Sequence, residues 1–430
     1  MMWDVIVVGA GPAGCTAATL LAREGLRVVI LDRSAMPRPK ICGEYLSPGC
    51  LRILDDIGAL QSIREAGARP LRGMVIHTAA GRALQATYPA AAGVEGLPVH
   101  GLAIRRDRLD PMLLEVAIKN GGDFEPDFQV SELLWGDGRV AGVQGRKQGR
   151  MTTLRGRLTI GADGRHSVVA RRLGAVERHP WLDKIALVGY VAGAERAEDL
   201  GEIFLGHDRY CILNPIAPDL TNVGLVVNRR EFRPTTDPTR VLQEAGRTLC
   251  GLEDRLAHAR PVAPVRCLGP LAHRATRLIA PGALLIGDAA GFVDPFTGEG
   301  IFAGLRSAEL AAQCALAPLL TDVSASPDPR EYALAWRREF LPKWRLCTGF
   351  QRAIRRPRLA EWLVSRLEKR PDLTDLLMAT VGDLIPAQNL NLGRLLCRLL
   401  AHPMRHGARS GNRRAINFGP SRQASLSPRA

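Results

Sequence analysis

The sequence has few of the features that mark membrane-spanning, secreted or metal-binding proteins. No run of residues is apolar and long enough to span a bilayer. The nine cysteines are odd in number, scattered, and without a Cys-x-x-Cys pair, which argues against a disulfide framework and against a zinc site. No two histidines have metal-ligand spacing, and no Ser/His/Asp pattern is recognisable. We therefore expect a protein of the reducing cytoplasm that holds no metal.

Aromatic residues are also scarce, at 5% of the chain, so few side chains are available to stack on bases. The net charge is +15 and comes largely from arginine. Because no nucleic-acid-binding module accompanies this charge, we expect no nucleic-acid partner. Peripheral contact with an anionic membrane is the alternative hypothesis, although an arginine-rich genome would produce the same excess. No basic region precedes the first apolar run, so no signal peptide is predicted.

A complete βαβ unit is predicted at the start of the chain. Asp4 to Val8 is a continuous run of strand-forming residues, which is typical of a strand buried on both faces. A glycine-rich turn follows, then a helical segment from Cys15 to Glu24 that Gly25 ends. Arg27 to Leu31 forms the second strand. The unit therefore places a Gly-x-Gly-x-x-Gly turn between a strand and a helix, as in dinucleotide-binding domains.

Each glycine of this turn has its own role in the motif. Gly9 allows the tight turn, Gly11 lets the backbone approach a pyrophosphate, and Gly14 lets the helix pack on the strand. A carboxylate at the end of the second strand is placed to bond ribose hydroxyls. The cofactor contacts predicted from this unit are Gly9, Gly11, Pro12, Ala13, Gly14, Asp32 and Arg33. This fingerprint alone does not separate FAD from NAD.

A second motif, far downstream, couples a strand to a long helix. The run from Ala283 to Ile286 predicts a buried strand, and the helix is predicted from Gly300 to Leu320. The carboxylate at the strand end can bond a ribityl hydroxyl. The N–H groups that open the helix can face the edge of a flavin ring, which becomes negative on reduction. The flavin contacts predicted here are Asp288, Gly298, Gly300 and Ile301.

With these two motifs the chain resembles the FAD-binding fold of the glutathione reductase type. Within that fold it is similar to the superfamily of aromatic hydroxylases (group A flavin monooxygenases), geranylgeranyl reductases and flavin-dependent halogenases. Asp163, in Gly-Ala-Asp-Gly, matches the superfamily's Asp-Gly motif, which supports FAD and nicotinamide binding in its hydroxylases. Arg106 matches an arginine that reaches the flavin phosphates or ribityl chain, and Val130 matches a backbone contact to adenine. The resemblance implies FAD as cofactor and NAD(P)H as reductant.

The segment from Pro37 to Pro48 distinguishes the branches of this superfamily. Lys40-Ile-Cys-Gly is similar to a segment of geranylgeranyl reductases, whereas Pro-Arg and Gly-Glu-x-Leu-x-Pro are shared with halogenases. The family geometry implies a position beside the isoalloxazine ring, where Cys42 could tune the flavin or donate a proton. A packed, inert thiol is the equal alternative. Pro295 matches a proline that hydroxylases carry near the flavin. The predicted catalytic residues are Cys42, Glu44 and Pro295.

The predicted fold class is α/β, or α+β overall. It comprises a glutathione-reductase-type, Rossmann-like FAD domain, an inserted antiparallel β-sheet substrate domain, and a helical C-terminal part. The flavin ring is expected between the FAD domain and the substrate sheet. The assignments are 1–75, 100–175 and 270–330 to the FAD domain, 76–99 and 176–269 to the substrate domain, 331–404 to C-terminal helices, and 405–430 to a basic, disordered tail.

Two reactions stay open at this point. The breadth of the hydroxylase group favours an NAD(P)H-dependent monooxygenase acting on an aromatic or polyketide-like hydrophobic small molecule. The Lys40 segment and the Thr-Gly-Glu-Gly-Ile loop from Thr297 favour a geranylgeranyl-reductase-like enzyme that saturates C=C bonds of an isoprenoid. Hydroxylation is preferred narrowly. A halogenase is a minor alternative because its Trp-x-Trp-x-Ile-Pro motif is missing, and a non-enzymatic electron carrier is another.

Overall fold

A computed structural model of the chain describes residues 2–196, 198–232, 237–321 and 329–400. The tail predicted at residues 405–430 lies outside these described residues, as do residues 401–404 of the predicted C-terminal helices. The described residues form two large sheets of eight strands each, two sheets of three strands, and the helices around them.

The first large sheet is mostly parallel and starts with the first residues of the chain. Its strands, in spatial order, are Ile279–Ala280, Ala283–Leu285, Arg150–Gly161, Met2–Val8, Val28–Leu31 and Gly122–Glu125. An antiparallel extension is formed by Arg139–Lys147, which pairs with Arg150–Gly161, and by Phe128–Gly136, which pairs with Arg139–Lys147. The strand Met2–Val8 pairs in parallel with both of its neighbours, as a βαβ crossover requires. The exposed first half of the strand Arg150–Gly161 pairs only with this extension.

The second large sheet is antiparallel apart from one strand pair. Its spatial order is Arg260–Pro261, Lys184–Ala192, Leu220–Asn228, Tyr210–Ala217, Leu200–Leu205, Gly73–His77 and Ala83–Thr87, with Arg266–Leu268 also on Lys184–Ala192. The parallel pair joins Leu200–Leu205 to Gly73–His77. The inserted antiparallel sheet is thereby confirmed. It begins at Gly73 rather than at residue 76, because this strand continues directly from the turn after Leu71.

Two small sheets and twelve α-helices complete the described residues. The small sheets are Val176–Arg178, His273–Ala275 and Gly291–Phe292, and Tyr45–Leu46, Gly101–Ala103 and Arg69–Leu71. The helices are Pro12–Ala22, Pro48–Asp56, Leu60–Glu65, Arg106–Lys119, Val168–Arg172, Pro238–Thr248, Leu252–Leu256, Gly300–Thr321, Pro329–Ile354, Pro357–Glu368, Pro371–Val381 and Leu392–Leu400. Across the described ranges, no helix is long and apolar enough to cross a membrane.

The observed helices differ from the predicted ones by one to three residues at their ends. The first helix begins at Pro12 rather than at Cys15, because proline is well suited to the first helical position. The helix predicted from Gly300 to Leu320 is observed as Gly300–Thr321. The C-terminal part from Pro329 is helical, as expected. The α/β fold class with an inserted sheet and a helical C-terminal part is therefore confirmed.

Candidate functional site

A cavity of about 670 Å³ lies where the two large sheets and the helix Gly300–Thr321 approach one another. This volume is typical of a small-molecule site. The predicted site residues that line it are Gly9, Gly11, Pro12, Ala13, Asp32, Arg33, Cys42, Glu44, Arg106, Val130, Asp163, Asp288, Pro295, Gly298, Gly300 and Ile301. Gly14 lies behind the turn, outside this lining. The fold thus brings three motifs that are distant in sequence onto one cavity.

The glycine-rich turn packs tightly against backbone atoms at Gly9 and Gly14, whereas Gly11 faces open space in the cavity. A Cβ atom at Gly9 would overlap the carbonyl oxygen of Ala162, and one at Gly14 would overlap that of Gly9. A Cβ atom at Gly11 would meet nothing closer than Nη2 of Arg106, at 4.0 Å. Gly11 is also the N-cap of the first helix, and no side chain caps this end. The uncapped N–H groups and the helix dipole suit an anionic group here.

Asp32 lies beside this turn and binds three hydrogen-bond donors. Its Oδ2 accepts from the N–H of Ala10 at 2.9 Å and from Nη2 of Arg38 at 2.8 Å, and its Oδ1 accepts from the N–H of Ser34 at 3.1 Å. A carboxylate has about four acceptor positions, so one is left for a ligand hydroxyl. The buried Nε of Arg38 has no hydrogen-bond partner among the described residues. Other predicted residues at this end of the cavity are Arg33 and Val130.

Arg106 is a fixed positive charge next to Gly11. Its guanidinium binds the fully buried Asp110 with two hydrogen bonds, Nε to Oδ1 at 2.5 Å and Nη2 to Oδ2 at 2.8 Å. Burial acts to lower the pKa of Arg106, but Asp110 outweighs it and the pKa is raised. Asp163, also on the cavity wall, accepts from the N–H of Val168 at 2.6 Å, the first N–H of the short helix that starts there. Arg106 and Asp163 therefore line the cavity and are each held in place by a hydrogen bond to a neighbouring helix residue.

The downstream loop reaches the cavity through glycines with left-handed backbone angles. Gly287 has φ +54° and Gly298 has φ +66°, which glycine adopts at little cost. The N–H of Gly287 donates to Oγ of Ser307 at 2.8 Å, which fixes the loop to the following helix. Burial raises the pKa of Asp288. The helix begins at Gly300, so its first N–H groups lie at the cavity wall without intrahelical partners.

Three ionisable side chains, Glu299, Lys343 and Asp383, are buried together behind this loop; we call them the buried ion cluster. Lys343 Nζ contacts Asp383 Oδ1, lies 3.5 Å from Glu299 Oε2, and donates to the carbonyl of Val381 at 3.2 Å. Asp383 also accepts from Oγ of Ser47 at 2.6 Å. Burial raises the pKa of Glu299 to about 7. The cluster connects the flavin-type loop to the C-terminal helices, a contact that the sequence analysis missed.

Cys42 and Glu44 lie on the cavity wall with different surroundings. Cys42 is partly buried, and its Sγ accepts from the N–H of Glu44 at 3.3 Å. Glu44 is buried, and its Oε1 accepts from the N–H of Arg106 at 3.0 Å and from the hydroxyl of Tyr190 at 2.8 Å. Its Oε2 has no hydrogen-bond partner in the described parts of the chain. Burial raises the pKa of Cys42 and that of Glu44.

The far end of the cavity is apolar. Side chains of the second sheet and of the downstream loop form its walls: Val188, Ile203, Ile212, Val226, Leu268, Phe292 and Phe296. Gly224 lies in the middle of this surface, and a Cβ atom there would have no atom within 4 Å. Pro295 also lines the cavity. The site therefore joins a cationic end near the glycine turn to a hydrocarbon-lined end against the second sheet.

Several residues of the site were not found from the sequence. Tyr190, Asn214 and Asn222 hold the Cys42 segment from the second sheet, and their only sequence signal is polarity within otherwise apolar strands. Arg38 pairs with Asp32, whereas its only sequence signal is a Pro-Arg motif shared with halogenases. Among the residues that the structure describes, no group of three or more His, Cys, Asp or Glu side chains could hold a metal ion.

The glycine-rich turn alone would suit FAD or NAD, and comparison with known proteins identifies the cofactor. The sequence model of a family described as an FAD binding domain matches residues 2–322. The chain belongs to this FAD-binding family. The superfamily resemblance is thereby confirmed, and so is FAD as the cofactor that the fold binds.

Curated relatives of this FAD-binding chain include both reductases and halogenases. Digeranylgeranylglycerophospholipid reductase 2 of Methanopyrus kandleri is 30% identical over 347 residues, which is 79% of this chain and 83% of that protein. Menaquinone reductase of Mycolicibacterium smegmatis is 29% identical over 345 residues, 75% of this chain and 78% of the other. Tryptophan 2-halogenase of Chondromyces crocatus is 27% identical, over 80% of this chain and 66% of its own length.

Solved structures confirm the fold of the FAD-binding protein. A triple mutant of the flavin-dependent brominase Bmp2 has a TM-score of 0.80 at 18% identity and covers 92% of this chain and 97% of its own. A geranylgeranyl bacteriochlorophyll reductase-like protein from Thermoplasma acidophilum has a TM-score of 0.67 at 21% identity, covering 93% and 96%. At these identities the likeness establishes the shared fold alone.

The residues present fit FAD. The open position at Gly11, the uncapped helix end and Arg106 suit a pyrophosphate. The unpartnered Nε of Arg38 and the free acceptor position on Asp32 suit polar groups of the nucleotide. The start of the helix at Gly300 suits an electron-rich ring edge.

Proposed function

We propose that this FAD-binding protein reduces carbon–carbon double bonds in the isoprenoid chain of a lipid or a quinone. The observation that carries the proposal is the hydrocarbon-lined end of the cavity, which faces the segment containing Cys42. Apolar walls favour a hydrocarbon chain because its burial removes apolar surface from water. The names of two relatives, a digeranylgeranylglycerophospholipid reductase and a menaquinone reductase, support this choice of substrate class.

The protein's own residues would hold the chain, exclude water and supply a proton. Bound FAD, once reduced, would supply the hydride. The side chains of Val188, Ile212 and Phe296 would keep the reacting bond dry. Burial raises the pKa of Cys42, so its thiol keeps its proton to higher pH than in water. Cys42 is partly exposed whereas Oε2 of Glu44 is buried, so we assign proton donation to Sγ of Cys42.

Hydroxylation by an NAD(P)H-dependent monooxygenase, which the sequence analysis preferred, is the second candidate. Pro295 lines the cavity, and a proline near the flavin is a feature of the hydroxylases in this superfamily. An enclosed apolar pocket would also serve oxygen chemistry. We rank this function below reduction because the apolar wall and the reductase relatives favour a hydrocarbon substrate.

The two candidates differ in their need for oxygen. The FAD-loaded protein would be reduced with dithionite and mixed with a menaquinone or a geranylgeranyl phospholipid, with and without oxygen, and the products analysed by mass spectrometry. Reduction of the chain predicts hydrogen added to the isoprenoid side chain, located by fragment masses, under strictly anaerobic conditions, whereas dithionite alone adds hydrogen only to the quinone ring. A product that forms only with oxygen and carries an added oxygen atom would contradict it. Cys42→Ser should slow the anaerobic reaction, whereas Cys267→Ser, at an exposed cysteine, should not.

A further inference from the structure

Three polar side chains form a single row across the second sheet; we call Tyr190, Asn222 and Asn214 the polar row. They lie on three neighbouring strands, and Asn222 is the register partner of both others. Residues directly opposite one another on paired strands point to the same face of a sheet. Both asparagines are buried, at 1% and 7% exposure. Their amides therefore need partners on that face.

Each member of the polar row donates one hydrogen bond to a different residue of the Cys42–Glu44 segment. The bonds are Asn222 Nδ2 to the carbonyl oxygen of Cys42 at 3.0 Å, Asn214 Nδ2 to the carbonyl oxygen of Gly43 at 2.9 Å, and Tyr190 Oη to Oε1 of Glu44 at 2.8 Å. Three successive residues are thus held by three successive strands. A chance surface contact between a sheet and a loop would not show this one-to-one correspondence.

The next row on the same strands belongs to the substrate end of the cavity. Val188, Gly224 and Ile212 are register partners in the same way, each two residues along its strand from a member of the polar row. Since side chains alternate between the faces of a strand, both rows lie on one face. All three residues line the cavity. The strands that would contact the substrate therefore also hold the Cys42–Glu44 segment.

The segment has a strained backbone that requires such support. Glu44 has φ +56°, a left-handed angle that costs a non-glycine residue about 1 kcal/mol or more. A conformation of this kind persists only where the surroundings determine it. On the cofactor side, the ion pair between Arg38 and Asp32 holds the chain just before the segment. On the other side, the polar row holds it to the sheet.

We propose that Tyr190, Asn222 and Asn214 are positioning residues that fix Cys42 relative to the substrate wall. They set where the Cys42 thiol lies with respect to a molecule on the second sheet, and they keep the thiol from moving into solvent. The inference deepens the proposed function, and only its kinetic test rests on that function. The placement of Cys42 can be tested without any substrate.

The test measures how fast iodoacetamide alkylates Cys42 in the FAD-loaded protein, by peptide mass spectrometry, with the exposed Cys250 as internal reference. The variant is Asn214→Leu/Asn222→Leu. Each hydrogen bond favours the held position of the Cys42–Glu44 segment by about fivefold, so losing two of them should make alkylation of Cys42 about twenty-five-fold faster. Asn120→Leu is the matched control, because Asn120 Nδ2 also donates to a carbonyl oxygen, that of Val116 at 2.8 Å, away from the site.

The outcomes separate this inference from the proposed function. Faster alkylation with retained FAD absorbance and an unchanged rate at Cys250 supports the positioning role, even if no double bond is reduced. Unchanged alkylation in the folded double variant overturns it, whatever happens to activity. Tyr190→Phe keeps the ring and removes one bond, so it tests the row if the double variant does not fold, with about a fivefold effect expected. With an active enzyme, kcat should fall while KM stays within about threefold.

Discussion

Replacing Lys343 by methionine would leave two buried carboxylates without their shared cation. Lys343 contacts Asp383, lies 3.5 Å from Glu299, and is 5% exposed. Removing one partner of a buried pair typically costs about 3–5 kcal/mol, because the remaining charge is buried without compensation. We therefore expect Lys343→Met to lower the free energy of unfolding by about 3–5 kcal/mol at pH 8.

This loss should depend on pH in a defined direction. The folded-state pKa of Glu299 is raised from 4.5 to about 7, chiefly by burial, so its contribution to stability falls as the pH rises from 4.5 through 7. Lys343 opposes that rise in the pKa of Glu299 and of Asp383. Without it both carboxyls would hold protons to higher pH. The variant's additional loss should be largest at pH 8 and smaller at pH 6, where protonation removes the unpaired charge.

Urea unfolding followed by far-UV circular dichroism at pH 6 and pH 8 would measure this effect. Lys343→Met/Glu299→Gln should recover part of the loss, since only Asp383 then remains charged. Lys119→Met is the control, because Lys119 pairs with Glu115 on the surface and is 69% exposed, and it should have little effect. A cost below about 1 kcal/mol at pH 8, or one equal at both pH values, would refute the reasoning about the buried ion cluster.

Further substitutions test the two ends of the cavity. Gly11→Val should fold, because the nearest protein atom to its Cβ would be Nη2 of Arg106 at 4.0 Å, yet it should weaken FAD binding by at least about tenfold by filling the pyrophosphate position; yellow protein with wild-type affinity would contradict this. Gly14→Val should instead destabilise the protein by about 3 kcal/mol or more, since its Cβ would overlap the carbonyl oxygen of Gly9; a normal melting temperature would contradict this. Gly224→Leu should leave FAD affinity and stability nearly unchanged but raise KM for a long isoprenoid by about tenfold or more, because the side chain would occupy open space in the apolar end; an unchanged KM would place the substrate elsewhere.

The parts of the site that depend on local sequence could be predicted, because their geometry lies within a few residues. Gly9 and Gly11 are required by one turn. The apolar run before Gly287 indicates a buried strand, whichever strand it pairs with. The same holds for the helix at Gly300, which follows its loop directly. These elements carry the cofactor part of the site, and the match to the FAD-binding family agrees with them.

The residues that depend on long-range pairing could not be predicted. Tyr190 and Asn214 become neighbours of Cys42 only through the register of strands far along the chain. Lys343 meets Glu299 because a C-terminal helix packs against the loop. In sequence these residues are ordinary polar positions in an apolar strand or a basic helix. Only the packed structure gives each one a partner.

The buried ion cluster bears on how this protein could be shortened or recombined. The family match ends at residue 322, before the helix Pro329–Ile354. A fragment cut at that boundary would keep Glu299 but lose Lys343 and Asp383, and with them the helix Pro329–Ile354 that brings Lys343 to this loop. The end of the family match is therefore not a boundary of the folding unit. A chimera with another flavoprotein should exchange Glu299, Lys343 and Asp383 together.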